Sequence, residues 1–431
     1  MIDISEAKQK KPSKVFFCFV FLLNMAGVYA QQNNSITLEQ CYQLARQNYP
    51  LIKQKELISQ SRDYSIENAA RGYWPRWNSG GQLTYQSAVI EIPFKVPGYA
   101  FPAYSKTQYK IYGEVDQTVY DGGNINLQKQ TQRANADIQE QNLEVQIYSL
   151  RERINQIFFG ILLINEQLEQ NESHQQDLEV VVKTTQVAFD YGSGYKRSLD
   201  EAKVELLKAQ QTSIDFKGTR RAYLDMLGLF INQPLAENTK FEKPADIVLS
   251  SEINRPEMKV YDFQKKLYDI QQKQLSINLR PTLNAFIQGG YSLPSLNTLL
   301  ATPAFYYIGG LNFNWTLGSL YNLKNNKRIL GLNRKTQDIE KETFVFNTNQ
   351  TLGQQNNDIL KMRRLIEKDN EIILLRTSIK NAGMTQAQNG IITVHDYITY
   401  VNDESRAKQD LVLHEVQLLL SEYEHKTTSG N

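Results

Sequence analysis

The sequence predicts a mainly α-helical protein with a small β part, organised as a duplicated repeat of long coiled-coil helices plus two β-hairpins. Three observations carry this expectation. Two very long stretches lack proline, a heptad seam runs through the first of them, and the two halves of the chain align with each other.

The N-terminus comes first. Lys8, Lys10, Lys11 and Lys14 make a basic region, residues 15–25 are apolar apart from Cys18 and Asn24, and Val28-Tyr29-Ala30 supplies small residues at the −3 and −1 positions. This is the layout of a secretory signal peptide over residues 1–30. Phe17 precedes Cys18, where a lipoprotein signal needs a small residue, so no lipid anchor is expected. Intact-mass measurement should find Gln31 as the first residue and no acyl chain; a retained leader or a lipid-modified mass would refute this.

Composition narrows the function classes. The 431 residues are 41% hydrophobic and 22% charged, enough to bury a core and outside the disordered range. Lys+Arg 48 against Asp+Glu 46 gives +2, and the leader's four lysines against Asp3 and Glu6 account for it. The remainder is formally neutral, which argues against nucleic acid as a partner. Cys41 is the one cysteine beyond the leader, and His174, His395, His414 and His425 are scattered. Neither a disulfide framework nor a metal site is expected, and no cofactor is called for. No run of 18 apolar residues follows the leader, so a membrane span would have to consist of strands.

Proline is absent from residues 103–233 and 304–431, and Gly160 is the only glycine between Asn124 and Tyr191. Proline breaks helix interiors, so long helices belong here. Some 65 helical residues would run roughly 100 Å, a coiled-coil length. Leu143, Ile147, Leu150, Ile154, Ile157, Ile161, Ile164 and Leu168 alternate steps of four and three. Asn171 and Gln175 interrupt the seam before Leu178, Val182 and Phe189, and a second stripe runs Leu199, Ala202, Leu206, Ala209, Ser213, Phe216.

The duplication sets the domains. At an offset of 206, Asn48, Pro50, Lys53, Pro75, Asn78, Gln82 and Tyr85 meet Asn254, Pro256, Lys259, Pro281, Asn284, Gln288 and Tyr291. At 196, Gly122, Asn126, Gly194 and Asp200 meet Gly318, Asn322, Gly390 and Asp396. The first repeat is taken as 31–240 and the second as 241–431. Strands are expected at about 78–91, 108–120, 284–292 and 304–317. Phe305, Tyr307, Leu311, Phe313, Trp315 and Leu317 share one parity, and Tyr306, Asn312, Asn314 and Thr316 the other. Tyr109, Ile111, Val115 and Val119 alternate with Lys110, Glu114, Asp116 and Thr118. Tyr73, Trp74, Trp77, Phe305, Tyr306, Tyr307 and Trp315 would suit an interfacial girdle. Four strands cannot close a membrane barrel alone, so a barrel would be shared between chains. A soluble sheet covered by helices fits the same pattern.

These residues resemble the TolC-type outer-membrane efflux protein family. Residues 36–45 (ITLEQCYQLA) with Asn48 and Pro50, the Arg255-Pro256-Glu257 restart, Tyr120-Asp121-Gly122-Gly123 and the Gly194 and Gly390 turns carry the likeness, over about residues 36–425. Thr37 with Gln40 reads independently as a capping box. The resemblance implies a homotrimer with a shared 12-strand barrel and a periplasmic α-helical tunnel. It implies outer-membrane lipid around the barrel, a periplasmic adaptor (membrane fusion) protein, and an inner-membrane pump or ABC transporter. The chain would be the passive exit duct of a tripartite efflux or type I secretion system, not an enzyme. Gly194, Gly192 and Gly390 become candidates for the hairpin tips and adaptor contact. Asp396, six residues after Gly390, and Asp200, six after Gly194, become candidates for the pore constriction. Ile392 and Thr399 stand where well-known members carry further charges, and Asp190 stands in place of a common arginine. The alternative is a periplasmic coiled-coil scaffold without a barrel, or a secreted enzyme. No Walker, G-x-S-x-G or H-E-x-x-H motif supports the enzyme.

Overall fold

The computed structural model describes residues 35–90, 93, 97–98, 103–298 and 301–431. The leader lies outside the described residues, as does part of the 87–106 loop. The chain forms two compact units, and each takes segments from both halves of the sequence.

One unit comprises residues 35–48, Arg153–Ile247 and Ile359–Ser421. Strand β1 (Ser35–Ile36) pairs parallel with β4 (Lys240–Phe241). Helix α1 (Leu38–Asn48) starts with the expected capping box: Gln40 N–H donates to Thr37 Oγ1 at 3.2 Å, and Thr37 N–H to Gln40 Oε1 at 3.0 Å. Cys41 is fully buried, and burial pushes its thiol up to about 12, so it is an inert packing group. Asn48 Nδ2 reaches Ile231 O at the end of α5 (Lys196–Ile231).

The long helices of this unit are α4 (Leu150–Asp190), α5, and the matching portions of α7 (Ser319–Gln388) and α8 (Val394–Ser429). Leu178 and Val181 of α4, Ala202 and Ala209 of α5, and Ile398 and Val401 of α8 make one buried cluster. The small residues allow close approach of the helices. Asn171 does not weaken the seam, because its buried Nδ2 donates to Ala209 O at 2.9 Å. Phe158, fully buried, meets Phe241 edge-on at 5.5 Å.

The other unit comprises Tyr49–Glu152, Val248–Asp358 and Glu422–Asn431. It holds α2 (Gln54–Ala70), α3 (Asn124–Tyr148) and α6 (Glu257–Ile277). Its sheet contains β2 (Arg76–Tyr85), β3 (Thr107–Tyr120), β5 (Thr282–Leu293) and β6 (Ala304–Asn314), in the order β2-β3-β5-β6, all antiparallel. The two hairpins are thus joined edge to edge through β3 and β5. Asn254, the repeat partner of Asn48, also ties its copy's last helix: its N–H donates to Ser429 O at 2.7 Å.

Two expectations are corrected. The first long helix is two: Ser149 interrupts it, its Oγ donating to Gln146 O at 2.8 Å. Such back-bonding competes with the helical ladder. The second copy runs as α7, 70 residues without interruption. The strand ends also move. β2 starts at Arg76 and ends at Tyr85, and β6 ends at Asn314, leaving Trp315 and Leu317 outside. The seam residues from Leu143 to Ile164 are all buried, as the heptad reading requires.

Candidate functional site

The sheet separates chemistry by face. Cross-strand partners share a face, so the register fixes its membership. One face carries Trp77, Leu83 and Tyr85 of β2, and Tyr109, Ile111 and Val115 of β3. It continues with Leu283, Ile287 and Tyr291 of β5, and Phe305, Tyr307, Leu311 and Phe313 of β6. Phe305 is 86% exposed and Tyr307 81%. The four charged strand residues, Arg76, Lys110, Glu114 and Asp116, all lie on the opposite face. A face this apolar is unstable in water and suited to lipid or to another apolar surface.

Aromatic residues mark both ends of the apolar face. Trp77 and Tyr85 sit near the two ends of β2, and Phe305 near the first residue of β6. Eight residues separate Trp77 from Tyr85, roughly 27 Å of strand. Tyr306 leaves the predicted girdle: it lies on the charged face and is only 9% exposed. Val119 also departs from simple alternation, because a register shift between Thr118 and Tyr120 leaves it in a bulge.

At the strand-to-helix passage, Asp121 caps α3. Its carboxylate accepts from the backbone N–H of Gly123 (2.9 Å) and Ile125 (2.5 Å) and from the Tyr73 hydroxyl (2.8 Å). Burial pushes this carboxyl up, but the three hydrogen bonds outweigh it and hold the group below the usual carboxylate range.

The hairpin turns lie in the other unit. α4 ends at Asp190 and α5 begins at Lys196; α7 ends at Gln388 and α8 begins at Val394. Gly192 (φ +73°) and Gly390 (φ +67°) are the left-handed residues. In each turn the glycine N–H bonds three residues back and the next N–H five back, the Schellman arrangement. The predicted pairing of Gly194 with Gly390 is therefore corrected: Gly192 is the geometric counterpart. Gly194 instead lies close to the end of α4, where a Cβ would meet Ala188 at 3.0 Å.

The same correction moves the acidic candidates apart. Six residues after Gly192 stands Ser198, not Asp200. Asp200 is exposed on the second turn of α5. Asp396 is the third residue of α8 and forms a second capping box. Its Oδ2 accepts from Thr393 N–H (3.0 Å) and Thr393 Oγ1 (2.6 Å), and its own N–H donates to Thr393 Oγ1 (3.1 Å). The Thr393 hydroxyl and N–H hold its carboxyl below the usual range. His395 does not pair with Asp396; its Nδ1 meets Glu201 of α5.

A charged cluster that sequence reasoning missed lies deeper in this unit. Lys380 Nζ of α7 contacts Glu404 Oε2 of α8 at 2.5 Å and Asp177 Oδ2 of α4 at 3.0 Å. Glu404 also accepts from Lys408 (3.1 Å) and Thr377 Oγ1 (2.7 Å) and is 2% exposed. Asp177, Lys380 and Glu404 come from three helices and lie 24 or more residues apart in the chain, so no local spacing brings them together.

Among the described residues no group of three or more potential ligands could hold a metal, and no helix is long and apolar enough to cross a membrane. Residues 41–227 match the family model described as outer membrane efflux protein. The fold is similar to the outer membrane protein VceC of Vibrio cholerae (10% identity, 91% of this chain and 96% of that one, TM-score 0.64). It is also similar to the Campylobacter jejuni CmeC outer membrane channel (12%, 100% and 94%, 0.63). The Neisseria gonorrhoeae MtrE outer membrane channel, solved in its open state, is a third (12%, 91% and 89%, 0.65). No curated protein matches by sequence.

Proposed function

We propose that the protein, whose residues 41–227 match the model described as outer membrane efflux protein, is the outer-membrane exit duct of a tripartite efflux or type I secretion system. The observation that carries this reading is the two-faced sheet with free edges. β2 and β6 are its outer strands, and neither edge is paired among the described residues. In lipid each unpaired backbone group costs several kcal/mol. Three copies of the four strands, edge to edge, make a closed barrel of 12 strands. The apolar face then meets the outer-membrane lipid, and Arg76, Lys110, Glu114 and Asp116 line the lumen. The helical units extend into the periplasm as a tunnel. The turns at Gly192 and Gly390, with Gly194, face a periplasmic adaptor and its inner-membrane pump. The duct is passive, and the pump supplies the energy.

The test is assembly and conductance. The purified protein should be a detergent-dependent trimer that forms discrete channels in planar bilayers. A monodisperse monomer, soluble without detergent, would return the scaffold reading. An epitope tag in the 87–106 loop should be accessible on whole cells.

Asp396 is proposed to line the periplasmic constriction, three copies around the axis, with Asp200 as a weaker candidate. Thr393 keeps each carboxyl ionised to lower pH, and three like charges in a narrow pore attract cations. Asp396→Asn should reduce cation selectivity and block by multivalent cations while trimers still assemble. Unchanged selectivity in an assembled Asp396→Asn trimer would leave Asp396 with its capping role alone.

A further inference from the structure

The charged face of the sheet holds an arrangement that a passive wall does not require. Lys110 Nζ lies over the Tyr112 ring, 4.6 Å from its centroid, and over the Tyr306 ring at 5.5 Å. Among the described residues no carboxylate lies within ion-pair distance of this ammonium, although Glu114 is on the same face four residues along β3. The two rings are its partners.

The rings are fixed in place. Tyr112 lies over Gly80 on β2, where an added Cβ would come within 2.8 Å of the ring. On the other side, a Cβ at Gly290 of β5 would meet Tyr112 Cβ and Tyr306 Oη at 2.9 Å each. The two glycines are thus niches that let the tyrosines lie along the wall. Tyr306 Oη donates to Gln288 Oε1 at 3.1 Å, and Gln288 Nε2 donates to Glu114. This chain crosses β6, β5 and β3, locks the Tyr306 ring, and leaves a carboxylate behind the pair. Next to it a groove of about 360 Å³ is lined by Gln82, Gln108, Lys110, Ser292 and Tyr306, among others.

We propose that Tyr112 and Tyr306 form a binding site for organic cations on this face, with the Lys110 ammonium as its tethered occupant. Where the face is a lumen wall, which rests on the duct reading, the site meets passing cargo. Ring faces attract cations of low charge density, which shed water cheaply. The neutral amides and hydroxyls of the groove offer no cluster of carboxylates that a hard metal ion would need. Lys110 hangs from a flexible four-carbon stem, so a quaternary ammonium can displace it. The lysine then acts as an internal competitor that keeps binding weak, as a conduit needs.

The probe is tetraethylammonium, added to the full-length trimer in planar bilayers. Lys110→Met removes the competitor and should lower the half-blocking concentration, by about fivefold or more at the strength of such contacts. Tyr112→Leu with Tyr306→Leu should raise it about as much. Tyr112→Phe, which keeps the ring face, should match the parent. An unchanged or weaker block in Lys110→Met would overturn the proposal, as would unchanged block in the double leucine variant. If no variant conducts, the duct reading fails, and NMR line broadening of tetraethylammonium by the detergent-solubilised protein decides the site. Broadening that strengthens in Lys110→Met and vanishes in the double leucine variant supports it; any other pattern sinks it.

Discussion

Glu404→Ala is expected to destabilise the helical unit by about 3–5 kcal/mol, because it strands buried lysine charge. Glu404 is 2% exposed and takes contacts from Lys380, Lys408 and Thr377. Removing it leaves Lys380, itself mostly covered, with Asp177 alone. The measurement is urea denaturation in detergent, comparing midpoints at constant slope. The paired replacement Lys380→Met with Glu404→Leu should recover more than half of the loss, since it removes the cation together with its partner. A single-variant loss below about 1 kcal/mol would mean that water screens the cluster.

The same cluster gives a pH dependence. Burial pushes the Glu404 carboxyl up, but Lys380, Thr377 and Lys408 outweigh it, so the folded group lies below the ordinary value of 4.5. A depressed carboxyl contributes stability that is complete above the unfolded value and fades as pH falls through the folded one. The difference between parent and Glu404→Ala should therefore be full above about pH 5 and shrink below pH 4.5.

How much of this was legible in the chain depends on the range of the signal. The heptad seam from Leu143 to Ile164 and the Thr37–Gln40 capping box are local patterns, and both appear as read. The alternation in 305–313 foretold which residues lie on the apolar face, because a period of two is enforced by the pleat. Strand pairing across the repeat, β3 with β5, is a long-range property that no local pattern in the chain announces. The first tip was left open between Gly194 and Gly192, and backbone conformation decides between them. Gly194 and Gly390 match as letters, but left-handed backbone, not glycine as such, defines a helix end, and Gly192 has it. The Glu404 cluster was invisible, since its members come from three helices and touch only when the helices pack.

Ile287→Arg and Gln288→Arg are neighbours in sequence and should differ by several kcal/mol in effect. Ile287 is 57% exposed on the apolar face at the middle of β5. In a barrel it meets lipid near the bilayer midplane, where an arginine costs about 2–4 kcal/mol. Three copies per trimer multiply that cost within one assembly. Ile287→Arg should therefore cut the yield of assembled trimer sharply and lower its heat resistance in detergent. Gln288 points the other way and donates to Glu114. An arginine there replaces one donor to a carboxylate by a charged one in contact with water, so Gln288→Arg should assemble almost as the parent does. Trimer yield on native gels after outer-membrane extraction reads both variants at once. Equal yields would mean that the two faces meet the same medium, which removes the lipid-facing wall. Loss in Gln288→Arg alone would reverse the sheet, placing the charged face outward and the aromatic face in the lumen.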